Sequence, residues 1–523
     1  MERQAHRQSP LLKSLTGLVF IVAITLFIQW SYMNEYPTHV HAWAEQDHYA
    51  LALGFINNGF DLFHPETMIY NKQFPSWWKE ASESTITAVD FPIHEYIVAL
   101  LMKLLGTTSP WVFRLWTLLW GMLGMFFLFK IAYRLTDDWL KSVLVVGIAL
   151  TSPVYAYFIN GFLPGAPALS LGIIGMWFYL RHFDGLSRKD FHLCVACLTL
   201  AMLIRTTFAI ELIAILCFEL VRIFHKESTF IDKLPSVIAS LIAFTAYYLW
   251  NKHLRLLYGS VFLNELLPPS DWDDAKELIA DTYHKWKFLY FQKTHYIVFL
   301  FVILSAAITT LWRSIKGKAV GNKSTKTLSL WWLPLIELLG CLLFGIAMMQ
   351  QLPNHDYYLI DTAFLPILVL LALTAKVLPK PQNKFIIGAA YIIVGLLCVV
   401  MVSRAKRLQM ERRYWEQYAT VSYNNFMGSD LLLDSLNVSR DAKILCLYGY
   451  AQNGPFIQMG RKGYTVMTDD ETLLDVDFTW DFVYVVVENE KYAKYLEKRY
   501  TLLSGLTKTG GNSRISVYTA SRE

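Results

Sequence analysis

A series of apolar runs, each about as long as the hydrocarbon core of a bilayer is thick, constrains this chain more than any other feature. A helix needs roughly 20 apolar residues to cross about 30 Å of hydrocarbon. The first run, residues 15–30, carries no charge after Lys13, and Ser31-Tyr-Met-Asn-Glu-Tyr-Pro beyond it offers no small-residue cleavage site. It reads as an uncleaved anchor helix. Further runs occupy residues 115–128, 142–158, 166–180, 191–204, 208–220, 234–250, 297–311, 328–349, 359–374 and 386–402. Together they predict about eleven crossings. Only 17% of the 523 residues are charged against 54% hydrophobic, where soluble domains carry about 25% charge. A net charge of +5 over such a length gives no reason to expect nucleic acid as a partner.

The basic residues orient the bundle, because short cytoplasmic loops are enriched in Lys and Arg. Arg3, Arg7 and Lys13 lie at the N-terminus. Arg181, Arg188 and Lys189 mark one loop, Lys376, Lys380 and Lys384 another, and Arg313, Lys316, Lys318, Lys323 and Lys326 a third. All fall on one side if residues 91–105 do not cross. That stretch is short and interrupted by His94, Glu95 and Lys103, so an interfacial helix is expected there. The N-terminus is then cytoplasmic and the C-terminus outside. The outer face receives residues 32–90, the turn 160–166, the loops 251–295 and 350–358, and the tail. The first loop holds eight acids, Glu35, Glu45, Asp47, Asp61, Glu66, Glu80, Glu83 and Asp90, against Lys72 and Lys79.

From Asp441 the composition turns globular. Residues 443–449 and 481–488 read as buried strands, 492–500 as a short helix and 513–519 as a closing strand. The expected fold class is thus an all-α polytopic membrane protein, about eleven transmembrane helices plus interfacial helices, with a small C-terminal α/β extracytoplasmic domain. Residues 1–403 form the membrane module, with an outer-face loop region at 32–110, and residues 404–523 the soluble domain. No chemistry is expected in the tail: Gly449, Gly454 and Gly460 lack a phosphate-loop spacing and read as turn glycines. Asn437-Val-Ser439 matches the glycosylation acceptor pattern by chance. Cys194, Cys197, Cys217, Cys341 and Cys398 lie in the runs as apolar packers, and Cys446, alone outside, has no disulfide partner in the tail.

The sharpest cluster is Trp43-Ala-Glu45-Gln-Asp47-His48-Tyr49-Ala50. Two carboxylates and an imidazole at a membrane surface are costly unless paired or used. One reading is a hydrated interfacial loop. A second is a divalent-metal site built from His39, His41, Glu45, Asp47 and His48, although no recognised ligand spacing links them. A third is catalysis, with a carboxylate as general base and a cation steadying a departing phosphate. Arg205 interrupts an apolar pair at the outer edge, where it is either functional or paired for structure. Asn354-His355-Asp356-Tyr357-Tyr358 shares that face, as hydrogen-bond donors or as an aromatic belt.

Four stretches taken in order resemble the C-type multi-spanning glycosyltransferases that use lipid-linked sugars, in particular the protein O-mannosyltransferase and lipid A aminoarabinose transferase branch. Glu45-Gln-Asp47-His48-Tyr49-Ala50 is similar to that branch's acidic loop motif. Asp90-Phe-Pro92-Ile-His94-Glu95-Tyr96, leading into Leu104-Leu-Gly106, is similar to its interfacial helix. Trp111-Val-Phe-Arg114-Leu115 matches the arginine opening its second span, and Pro353-Asn-His355-Asp-Tyr357-Tyr358 with Phe364-Leu-Pro366 its late outer loop and following proline. The likeness covers residues 10–375. It implies inverting transfer of a sugar from a polyprenyl-phosphate donor to a lipid, glycan or protein acceptor on the non-cytoplasmic face; the membrane is expected to be a bacterial inner membrane, and no cofactor is expected beyond the divalent metal already weighed. By position it puts Asp47 beside the attacking group, with Glu45 as the second candidate. It puts His48, Tyr49, Asp90, His94, Glu95, Arg205, His355, Tyr357 and Tyr358 in the binding site. Asp47→Asn is then expected to abolish transfer, and Glu45→Gln to be milder. One departure stands out: Leu163-Pro-Gly165-Ala-Pro167 has glycine where relatives commonly carry a second acid, so Asp90 or Glu95 supplies that function or the chemistry differs. A transporter or flippase of lipid-linked sugar predicts internal repeats and polar mid-membrane helices. A silent scaffold leaves the acidic stretch unexplained.

Overall fold

The computed structural model describes residues 10–74, 80–263, 265–316, 328–380, 383–415, 417–447, 449–466, 480–489 and 506–520. Its helices follow the apolar runs. The anchor α1 (Pro10–Gln29) leads to α2 (Ala42–Asn57) and α3 (Ile93–Leu105), then to α4 (Pro110–Thr136), α5 (Trp139–Thr151) and α6 (Pro153–Phe158). Next come α7 (Gly165–Phe183), α8 (Lys189–Ile204), α9 (Ala209–Phe224), α10 (Leu234–Tyr258), α11 (Trp272–Tyr290) and α12 (Lys293–Ile315). The helical part closes with α13 (Trp332–Ala347), α14 (Tyr358–Asp361), α15 (Phe364–Val377) and α16 (Lys384–Arg412). Five of these are long and apolar enough to cross a bilayer, namely Leu11–Tyr32, α4, α10, α12 and α16, while α5, α13 and α15 are shorter apolar helices. Leu339, Leu342 and Leu343 of α13 and Ile392, Leu396 and Val399 of α16 are exposed, a surface suited to lipid rather than water. The chain is an integral membrane protein.

Local chemistry explains the breaks. The run at 142–158 becomes two helices because Pro153 lacks an N–H and cannot continue the ladder; Ser152 at the joint donates its hydroxyl to the Tyr290 carbonyl at 2.7 Å. Arg205 is extended, φ −148°, between α8 and a short 3-10 turn. Two helices lie where loops were expected: α2 within 32–90 and α11 within 251–295. The domain boundary expected at 403/404 falls inside α16. Four buried acids also sit within the apolar runs, Glu211 and Glu219 on α9, Glu337 on α13 and Asp361 on α14, so the interior is more polar than the average hydropathy of those runs. Arg3, Arg7, Lys79, Lys318, Lys323, Lys326 and the helix expected at 492–500 lie outside the described residues.

The tail comprises α17 (Gln417–Phe426), α18 (Ser429–Ser435), β1 (Ile444–Leu447), α19 (Gly454–Met459), β2 (Gly463–Val466), β3 (Tyr484–Glu488), β4 (Leu506–Gly511) and β5 (Ile515–Ala520). The strands form one sheet in the order β2-β1-β3-β5-β4, with β1 parallel to β2 and β3, and β5 antiparallel to β3 and β4. The three expected strands are β1, β3 and β5; β2 and β4 were not expected. The segment between α2 and α3 docks against the free edge of β2. Tyr70 N–H donates to the Gly463 carbonyl at 2.9 Å and Gly463 N–H to the Met68 carbonyl at 3.1 Å. Asn71 exchanges two hydrogen bonds with the Thr465 backbone, 2.8 and 3.0 Å. Extending the sheet in this way covers an edge that would otherwise be unpaired.

Candidate active site

Helical geometry sorts the acidic motif before any partner is considered. Residues on an α-helix advance about 100° each, so Glu45, His48 and Tyr49 share one face of α2, while Gln46, Asp47 and Ala50 share the opposite one. The two acids therefore point apart. On the first face, Glu45 is buried, with the Phe162 backbone N–H reaching its carboxylate and Arg114 near it. Its Oε1 has no hydrogen-bond partner. Burial raises its pKa. Arg114 donates to the Glu35 carbonyl at 2.8 Å and to the Asn160 carbonyl, and lies over the Phe162 ring. His48 Nδ1 lies 2.7 Å from Glu95 Oε1. Burial alone would push the Glu95 carboxyl up, but that hydrogen bond and the His48 charge bring it below its usual range. Tyr49 donates its hydroxyl to the Thr108 carbonyl.

On the other face, Asp47 meets the tail. Gln452 Nε2 donates to Oδ2 and Asn453 Nδ2 to Oδ1, each at 2.7 Å. Burial pushes its carboxyl up to about 8 despite these donors and the nearby Lys72. Lys72 is itself buried, donates to the Ile69 and Thr85 carbonyls, and is lowered by that burial to about 7.

The remaining candidates, except His94, gather around Arg205. Its Nε donates to Asp361 Oδ2 at 2.7 Å, and its guanidinium lies 5.4 Å from the Tyr357 ring centre and 6.0 Å from that of Tyr358. Phe91 N–H donates to the Leu203 carbonyl at 2.8 Å, which pins Asp90 beside Arg205. Burial raises Asp90 to about 6, against Arg205 and the Thr206 N–H, which lower it. Burial also lifts Asp361, whose Oδ1 has no hydrogen-bond partner. Two carboxylates thus face one guanidinium. His355 stacks on His41 at 5.8 Å, and its Nδ1–H donates to the Gln351 carbonyl at 2.9 Å. His41 reaches Asp356 at 2.9 Å, and Arg412 reaches the same carboxylate at 2.7 Å. His94, lowered to about 4 by burial, accepts from the Trp116 indole at 3.2 Å.

Asp361, Gln452 and Asn453 were not among the sequence candidates. Asp361 was hidden inside the apolar run 359–374. It occupies the room Gly165 leaves: a Cβ at 165 would meet Asp361 Oδ1 well inside van der Waals contact. Of the two substitutes considered for the missing acid, Asp90 faces Arg205 and Glu95 is engaged by His48. The five residues weighed as metal ligands take separate partners, and among the described residues no three metal-ligating side chains converge.

Beside this cluster runs an apolar groove of about 620 Å³, lined by Phe63, Phe91, Leu203, Ala243, Tyr247 and Trp250. Phe91 follows Asp90 directly and Leu203 lies two residues before Arg205, so the wall of the groove adjoins the charged centre, while the titratable side chains in its own lining are Asp61 and His64.

Residues 90–250 match the family model described as dolichyl-phosphate-mannose-protein mannosyltransferase. ArnT from Cupriavidus metallidurans bound to undecaprenyl phosphate superposes with a TM-score of 0.56 at 11% identity, covering 97% of this chain and 98% of that one. The apo oligosaccharyltransferase of Archaeoglobus fulgidus gives 0.51 at 12% identity, over 93% of this chain and 70% of that one. The mycobacterial arabinofuranosyltransferase AftD gives 0.53 at 11% identity, over 98% of this chain and 40% of the longer AftD. No curated protein sequence matches the chain. The chain has the C-type glycosyltransferase fold.

Proposed function

We propose that the protein transfers a sugar from a polyprenyl-phosphate carrier to an acceptor on the non-cytoplasmic face, with inversion at the anomeric carbon. The observation that carries this reading is the Arg205 guanidinium held by Asp361 and faced by Asp90, next to an apolar groove walled by the neighbouring Phe91 and Leu203. A polyprenyl chain fits an apolar groove open to lipid, and its phosphate then meets a guanidinium held by Asp361 and two tyrosine rings. The acceptor hydroxyl or amine attacks the anomeric carbon and gives up its proton to a carboxylate. The carbon–oxygen bond to the phosphate breaks, and the polyprenyl phosphate leaves with the electron pair, steadied by Arg205. Glu45 suits the base better than Asp47, because Glu45 keeps an unpartnered oxygen while both Asp47 oxygens accept from the tail. The order of effects expected from the motif, Asp47 before Glu45, is therefore reversed in this reading.

The topology belongs to the same proposal. Counting α1, α4, α5 with α6, α7, α8, α9, α10, α12, α13, α15 and α16 as crossings gives eleven, with the basic loops on the inner face and the tail outside, as in a bacterial inner membrane. Movement of an intact lipid-linked sugar has one observation in its favour, the buried carboxyls of Glu211 and Glu337, whose Oε atoms include three without hydrogen-bond partners.

Mass spectrometry of envelope glycans and glycoproteins with and without the gene tests the proposal: loss of a sugar of defined mass is expected. Proteoliposomes that move the intact lipid-linked sugar without cleaving it would favour transport instead.

A further inference from the structure

We infer that the C-terminal domain takes part in the site through Gln452 and Asn453, positioning residues that clamp the Asp47 carboxylate and so fix the rotation of α2 that aims Glu45 and His48. What the site does rests on the glycosyltransferase reading; the clamp itself does not. Asp47, Gln452 and Asn453 are all buried. Asn453 serves twice, since its Oδ1 also accepts the Met68 N–H at 3.0 Å, tying the outer loop to the same side chain. Gln46, next on this face, lies over Gly454, where a Cβ would strike its amide, and donates to the Pro37 carbonyl at 2.8 Å. One face of α2 therefore rests on the soluble domain while the other forms the site. Turning the helix by about 20° carries a group 5–6 Å from its axis through roughly 2 Å, enough to misalign a reacting carboxylate.

The three hydrogen bonds can be kept with the two side chains exchanged. In the double variant Asp47→Asn/Asn453→Asp, one oxygen of residue 453 accepts the Met68 N–H and the other accepts from Nδ2 of residue 47, whose Oδ1 still accepts from Gln452. Asn453→Asp alone breaks the pattern by setting two carboxylates together, because Met68 N–H fixes which oxygen turns away; Asp47→Asn alone is accommodated if Gln452, whose Oε1 has no partner, turns its amide. The full-length variants are expressed in a strain lacking the gene. One readout is tail protection against trypsin, and the other is restoration of the envelope sugar that deletion removes. Asn453→Asp is expected to lose protection and to lower transfer by about ten-fold or more, as a reacting group displaced by an ångström or so does. The exchange variant should recover both to within about three-fold of wild type, the non-additivity that contacting residues show. Recovery of protection without transfer would mean that the carboxylate at 47 acts on substrate itself, and the inference fails. Full transfer in Asn453→Asp with an unprotected tail overturns it too. If deletion removes no sugar, the glycosyltransferase reading fails instead. Binding of undecaprenyl phosphate to the purified variants then replaces transfer, and the same recovery pattern decides the positioning role.

Discussion

Gly161→Ala probes the proposed base without touching it. A Cβ at 161 would lie 2.6 Å from Glu45 Oε1 and 3.3 Å from the Phe158 carbonyl, whereas ordinary contact begins at 3.4 Å. The carboxylate must give way by most of an ångström, because the carbonyl belongs to fixed backbone. It is the end of a flexible side chain, so stability should fall by only about 1–2 kcal/mol, the lower part of the overpacking range. The reacting oxygen moves much further relative to what catalysis tolerates: a misplacement near 1 Å costs about a hundred-fold in rate, so a drop of roughly ten- to a hundred-fold is expected. Gly388→Ala is the control, since a Cβ there meets nothing within 4 Å, and it should be neutral or stabilising by up to about 1 kcal/mol in a helix. The assay compares both variants for restored envelope sugar and for thermal unfolding in detergent. A Gly161→Ala protein that transfers like Gly388→Ala would remove Glu45 from the chemistry. So would one that loses activity only in proportion to lost folded protein.

Two further outcomes follow from the same geometry. Arg205→Gln leaves Asp361 buried without its cation, so the folded protein should lose roughly 3 kcal/mol, and undecaprenyl phosphate binding should weaken at least ten-fold, an effect measured by titrating the purified protein; Arg205→Lys keeps the charge but not the planar fork and should fall between. Ala243→Trp fills the groove and should weaken binding of undecaprenyl phosphate while leaving that of a short-chain prenyl phosphate unchanged; equal loss for both would put the chain elsewhere.

The membrane helices were legible because span length is set by the solvent: a run long enough to cross has few alternatives. Helix α3 was legible for the complementary reason, as a run too short and too charged to cross. Helix α2 was not, because its polar residues on two faces leave no apolar stripe to read. Read as a loop, Glu45 and Asp47 form one acidic pair; read as a helix, two residues' separation sends them to opposite sides. The residue types of the site were thus visible while their division of labour was not.

The same limit explains Asp361, Gln452 and Asn453. An aspartate within the apolar run 359–374 is averaged away, and two amides in a turn carry no pattern, since neither spacing nor composition encodes which carboxylate they will meet across some 400 residues of chain. A different signal was present at Gly165. A glycine at a position where relatives bear an acid can mean that the function is lost, or that another group needs the space. The close approach of Asp361 Oδ1 to that glycine favours the second meaning, because the incoming carboxylate also holds Arg205. These two meanings separate experimentally. Restoring an acid by Gly165→Asp should repair a site that lacks one, but in this structure it would drive a second carboxylate into Asp361, so Gly165→Asp should be more damaging than Gly165→Ala.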